Sequence, residues 1–122
     1  MICGIIGKGS IGLRHSKILK TLNINFYFLR RKTNSKIKNE ITFKSQLISK
    51  IDFFIISNPS SLHLKTIKKV ITYDKPILVE KPFVTQNKVT KVIENYKKIF
   101  VLYQMRFDPR INFIKKNFDK KK

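Results

Sequence analysis

The sequence predicts an α/β fold built on a doubly wound, mostly parallel sheet, and three observations carry that prediction. Apolar, strand-like runs alternate with helical patterns along nearly the whole chain. The first run, Met1 to Ile6, leads straight into Gly7-Lys8-Gly9-Ser10-Ile11-Gly12, and that turn opens into a helical pattern. The run Asp52 to Ser57 is apolar on both faces, as a parallel strand covered by helices on both sides should be.

The elements follow in order. Ile2 to Ile6 reads as the first strand and Ile11 to Leu22 as the first helix. Ile24 to Leu29 is rich in β-branched and aromatic residues and reads as the second strand. Lys32 to Asn39 is polar and reads as a loop, and Phe43 to Ser49 has the length of a short helix. Asp52 to Ser57, Pro76 to Glu80 and Ile99 to Tyr103 complete the strands. Ser61 to Tyr73 and Thr85 to Lys97 read as helices, with Ser60 or Ser61 and Thr85 as N-caps. Pro109 suits the first turn of a last helix, Arg110 to Phe118, because the first turn has no use for its missing N–H.

Composition narrows the classes. The chain has 122 residues, enough for one domain with its own core. Its single cysteine, Cys3, lies inside an apolar run and reads as a small core residue. No apolar stretch is long enough to span a membrane, and the N-terminus lacks the features of a signal peptide, so a cytoplasmic protein is expected. No metal site is predicted. The net charge of +20 points toward polyanions, but lysine outnumbers arginine 22 to 5, with 19 isoleucines and no alanine. AT-rich codons produce that pattern whatever the function. The lysines are scattered, only Lys115-Lys116 and Lys120-Lys121-Lys122 are dense, and no nucleic-acid motif accompanies them, so a nucleic-acid partner is not expected.

The chemistry starts at the glycine turn. Strand, G-x-G-x-x-G and helix form the fingerprint of a Rossmann-type dinucleotide-binding fold. Gly7 permits the sharp turn off the strand, Gly9 lets the backbone approach a pyrophosphate, and Gly12 lets the helix pack close to the strand. The phosphates then meet free N–H groups at the helix N-terminus. The end of the second strand sets the choice of dinucleotide, and about 20 residues past the glycines the chain reads Leu29-Arg30-Arg31-Lys32. A carboxylate for a ribose is missing there, and a guanidinium fork suits a 2′-phosphate, so Arg30 and Arg31 predict NADP rather than NAD. The alternative is a solvated charge cluster at a strand end. Ser57, Asn58, Pro59 and His63 follow the third strand and border the same groove, where Asn58 can bond ribose or its own backbone and His63 can cap or pack. The next strand ends in Glu80-Lys81-Pro82. Lys81 can polarise a carbonyl, hydrogen-bond a substrate hydroxyl or, with a lowered pKa, move a proton.

Four motifs occur in order: Gly7-x-Gly9-x-x-Gly12-x-x-His15, Asn58-Pro59-x-x-x-His63, Glu80-Lys81-Pro82, and Gln104-Met105-Arg106-Phe107. Together they resemble the glucose–fructose oxidoreductase / inositol dehydrogenase (Gfo/Idh/MocA) family. The resemblance implies a nicotinamide-dependent oxidoreductase of a sugar, a cyclitol or another polyol. It implies that Lys81 lies beside substrate hydroxyl and nicotinamide and that Gly7, Gly9, Ser10, Ile11 and Gly12 contact the pyrophosphate. By the same resemblance Ser57, Asn58, Pro59 and His63 border the ribose and nicotinamide side, Glu80 and Pro82 shape the cleft, and Gln104 and Arg106 stand at the substrate entrance. Members usually carry a second α/β domain that supplies substrate contacts, a catalytic histidine and the oligomer interface, and this sequence has no counterpart of it. The expectation is therefore residues 1–108 as an NAD(P)-binding domain, and 109–122 as the start of an inter-domain helix with a basic tail. On that view the chain is a truncated oxidoreductase keeping its dinucleotide half, which self-associates or takes a partner chain. The alternative is a non-catalytic dinucleotide-binding or regulatory module.

Overall fold

The computed structural model describes residues 1–33, 37–85 and 89–118. The strands are β1 (Ile2–Ile6), β2 (Asn25–Arg30), β3 (Glu40–Thr42), β4 (Phe53–Ile56), β5 (Ile77–Val79) and β6 (Ile99–Val101). They form a six-stranded sheet in the order β3-β2-β1-β4-β5-β6. Each pairing is parallel, with Ile5 of β1 opposite Phe28 of β2 on one side and Ile55 of β4 on the other. This is the strand order of a doubly wound dinucleotide fold, and it reverses between β1 and β4, where such folds open their ligand crevice.

The helices are α1 (Ser10–Thr21), α2 (His63–Val70), α3 (Lys91–Asn95) and α4 (Pro109–Phe118). Short 3₁₀ turns at Ser60–Leu62 and Ile71–Tyr73 extend α2 on both sides, so the helical stretch expected from Ser61 to Tyr73 is present. Neither serine caps it: Pro59 and Leu62 stand at the two N-cap positions, without a side-chain bond. Phe43 to Ser49 holds a 3₁₀ turn, Gln46–Lys50, capped by Ser45, whose Oγ accepts from the Leu47 N–H. The helix expected from Thr85 is shorter, beginning at Lys91 behind Thr90, and the intervening residues 86–88 lie outside the described ones. So do residues 34–36 of the expected polar loop and the terminal lysines 120–122. Pro109 opens α4 as expected, and Asp108 Oδ1 accepts from the Arg110 N–H at 2.9 Å.

Strand alternation divides the core between the two faces of the sheet. Ile6, Leu29, Ile41, Phe54, Ile56, Ile77 and Val79 pack on one face with Ile67 and Val70 of α2 and Ile93 of α3. Cys3, Ile5, Phe26, Phe28 and Ile55 pack on the other with Leu19 of α1. Burial of both faces explains why the strands read as continuous apolar runs. Cys3 is fully buried, and burial pushes its thiol up to about 12. Among the described residues, no helix is long and apolar enough to cross a membrane.

Candidate functional site

The carboxyl ends of β1, β2, β4 and β5 surround the glycine turn. Gly7 leaves β1 with a φ of +113°, the left-handed region that favours glycine. A Cβ on Gly7 would stand 2.5 Å from the Asn58 backbone nitrogen, and one on Gly12 would stand 1.9 Å from the Gly7 carbonyl oxygen. Helix, turn and the loop after β4 are therefore in backbone contact. Ser57 fastens them: its N–H donates to the Ile6 carbonyl at 2.8 Å and its Oγ to the Gly7 carbonyl at 3.2 Å. Gly9 is different, since a Cβ there would meet no protein atom within 4 Å. Gly9 is also the N-cap of α1, which has no side-chain cap and no acidic residue in its first turn. The first N–H groups of α1 thus face open space beside a bare backbone, the arrangement that receives a pyrophosphate.

Two clefts flank this turn. The larger, about 840 Å³, runs over Gly7 and Leu29 toward Asn58 and Thr66. Arg30, Arg31, Lys32, Lys44, Lys65 and Lys69 line it. The smaller, about 350 Å³, brings together Ile11, Ser57, Asn58, His63, Glu80, Lys81, Pro82 and Gln104. Asn58 belongs to both. Its Nδ2 donates to Thr66 Oγ1 at 2.8 Å, and among the described residues its Oδ1 is a buried acceptor with no partner. An orphaned acceptor between two clefts suits a ligand hydroxyl.

Backbone and side-chain bonds hold the Lys81 side of the small cleft. The Glu80 N–H donates to the Ile56 carbonyl, and Glu80 Oε1 lies 2.7 Å from His15 Nε2 of α1. The chain turns at a cis Lys81–Pro82 peptide. His63, 1 % exposed, places Nδ1 2.9 Å from the Pro82 carbonyl oxygen and Nε2 2.9 Å from the Asn58 carbonyl oxygen. Its ring therefore ties the loops after β4 and β5 together from beneath. Lys81 itself is exposed on the cleft wall. Ser10 opens α1 at the surface, Pro59 is exposed beside Asn58, and Arg106 is exposed on the 3₁₀ turn Gln104–Phe107.

No protein-family model and no curated protein matches the sequence. Solved structures do match the fold. Scyllo-inositol dehydrogenase from Lactobacillus casei, solved with NAD(H) and scyllo-inositol, superposes with a TM-score of 0.78 at 20% identity, over 98% of this chain and 41% of that one. WlbA dehydrogenase from Bordetella pertussis, solved with NADH and UDP-GlcNAcA, gives 0.77 at 17% identity, over 98% of this chain and 42% of that one. WlbA (WbpB) from Thermus thermophilus, solved with NAD and UDP-GlcNAcA, gives 0.73 at 18% identity, over 98% and 47%. The chain shares its fold with Gfo/Idh/MocA-type dehydrogenases. It spans less than half the length of each of these three.

These neighbours overturn one expectation. They hold NAD or NADH, not NADP, so the inference of NADP from Arg30 and Arg31 does not stand. The structure supplies a reason. That inference assumed that no carboxylate stands near the end of β2, whereas β3 brings Glu40 beside it. Glu40 Oε1 lies 2.7 Å from Lys8 Nζ and 4.0 Å from Arg30 Nε. Strand β3 is Glu40-Ile41-Thr42, one apolar residue between two polar ones, so it offers no apolar run to read, and Glu40 lies ten positions after Arg30. Lys8 stood in the glycine turn and was legible; its partner was not.

Proposed function

We propose that this chain binds NAD(H) and forms the dinucleotide half of an oxidoreductase of sugars or polyols. The observation that carries the reading is the uncapped start of α1 beside the unobstructed backbone of Gly9, with a cleft on either side. In this reading Gly7, Gly9, Ser10, Ile11 and Gly12 hold the pyrophosphate. The larger cleft takes the adenosine, and Asn58, with Ser57, Pro59 and His63 around it, borders the ribose and nicotinamide. Glu80 and Pro82 shape the wall from which Lys81 projects, and Gln104 and Arg106 stand on the substrate side. The nicotinamide, when bound, supplies the hydride acceptor or donor. The chain's own part is positional and electrostatic. Lys81 offers an ammonium that can hydrogen-bond a substrate hydroxyl or the carbonyl formed from it. The His15–Glu80 pair and the His63 tie fix where Lys81 begins. Sugar or polyol chemistry comes from the neighbours, whose structures hold UDP-GlcNAcA or scyllo-inositol.

Titration with NADH tests the reading directly. The chain has no tryptophan, so nicotinamide fluorescence is read against a low protein background. Saturable enhancement is expected. No response up to roughly millimolar NADH, where binding free energy falls to about 4 kcal/mol, would sink the proposal. Oxidation of inositols or nucleotide sugars by the chain with NAD distinguishes catalysis from binding alone.

A further inference from the structure

We infer that Glu40 is the residue that sets the choice between NAD(H) and NADP(H), acting by charge rather than by ribose contact. The inference rests on the reading above, in which the larger cleft receives the adenosine. Six cationic side chains and, among the described residues, no carboxylate line that cleft. Left alone, such a surface would attract any extra phosphate on the adenosine ribose.

Glu40 lies just behind it. Register places Glu40 opposite Phe28 and Thr42 opposite Arg30, so Glu40 shares the α1 face of the sheet with Phe28. Its side chain is only 6 % exposed, and its Oε1 meets Lys8 of the glycine turn at 2.7 Å. Lys8 Nζ also lies 5.6 Å from the centroid of the Phe28 ring, which fixes the ammonium against the apolar end of β2. Arg30, the lining cation nearest this pair, has its Nε 4.0 Å from the same carboxylate oxygen. Among the described residues, one buried negative charge therefore faces two cations at the point where β2 ends. Its field opposes a second negative charge beside Arg30, and partial burial limits the screening of that field. A neutral ribose hydroxyl meets no such opposition. Arg30 thus belongs to an ion cluster with Glu40 and Lys8 rather than to a phosphate fork.

The test compares NADH and NADPH affinities of the whole chain. Glu40→Gln keeps the side-chain size and removes the charge. The NADPH-to-NADH affinity ratio should rise on the order of tenfold at low salt and less at high salt. Lys8→Gln removes the counter-ion and leaves the carboxylate, so its ratio should fall, and it carries the test if Glu40→Gln does not fold. A ratio that stays within about twofold of wild type in folded Glu40→Gln, or that rises in Lys8→Gln, overturns the role of Glu40. A wild-type chain that binds neither dinucleotide overturns the cofactor reading itself, and the inference falls with it. Binding of both by wild type with an unmoved ratio in folded Glu40→Gln overturns only the inference.

Discussion

At the scale of single residues, Gly9 and Gly12 separate structural need from functional need. A methyl on Gly12 would collide with the Gly7 carbonyl, whereas one on Gly9 enters open space. Gly12→Ala should therefore cost about 1–3 kcal/mol in urea unfolding through forced displacement of helix or turn. Gly9→Ala should leave stability within about 0.5 kcal/mol and still weaken NADH binding markedly, because in the proposed reading the methyl would occupy the approach of the pyrophosphate. Equal loss of stability in both variants would contradict this division. Cys3 gives a second residue-scale outcome. Its thiol, raised from 9.0 to about 12 by burial, stays protonated and sheltered in the native chain. A thiol reagent at about pH 8 should label it only after unfolding. Rapid native labelling would show that the β1 face of the core opens.

Among the elements, α2 joins the site to the core. His63 begins it beneath the Lys81 loop, and the fully buried Ile67 and Val70 seat it on the sheet. Ile67→Ala should destabilise the chain by about 2–5 kcal/mol, the range for truncating a buried isoleucine, and be read as a lowered urea midpoint. A loss below roughly 1 kcal/mol would mean that α2 does not bear on the core. Long elements with a full periodic pattern were legible from sequence: β1, α1, β2, β4 and α2 stand where their apolar spacing put them. β3 was not, because Glu40-Ile41-Thr42 holds one apolar residue and no run, whereas the equally short β5 and β6 are apolar throughout and were legible; α3 proved shorter than its pattern. β3 exists through its register with Phe28, Leu29 and Arg30.

For the whole molecule, charge and apolar exposure oppose each other. Phe100 and Tyr103 are each 56 % exposed, Phe107 78 % and Phe113 70 %, around β6 and α4. Phe107 and Phe113 thus present aromatic rings to solvent there. The formal charge of +20 keeps copies apart at low ionic strength. At about 0.5 M salt, where screening acts within a few ångströms, sedimentation velocity should show self-association. Phe107→Ser with Phe113→Ser should reduce it. A single monomeric boundary at every salt concentration would show that these aromatics drive no contact.

The sequence by itself determined the sheet class, the glycine turn and the positions of Lys81, Glu80 and Asn58 just past strand ends, with His63 in the helical stretch that follows. Those features depend on residue type and on spacing within one element, which local physics sets. Only the tertiary structure decided which side chains meet. It joined His15 to Glu80 across 65 positions and Lys8 to Glu40 across 32, and among the described residues it left Asn58 Oδ1 without a partner between two clefts. Contacts between elements follow from strand order and register. That is why Arg30 at the end of β2 stands beside a carboxylate from the next strand, a neighbour that spacing along the sequence does not show.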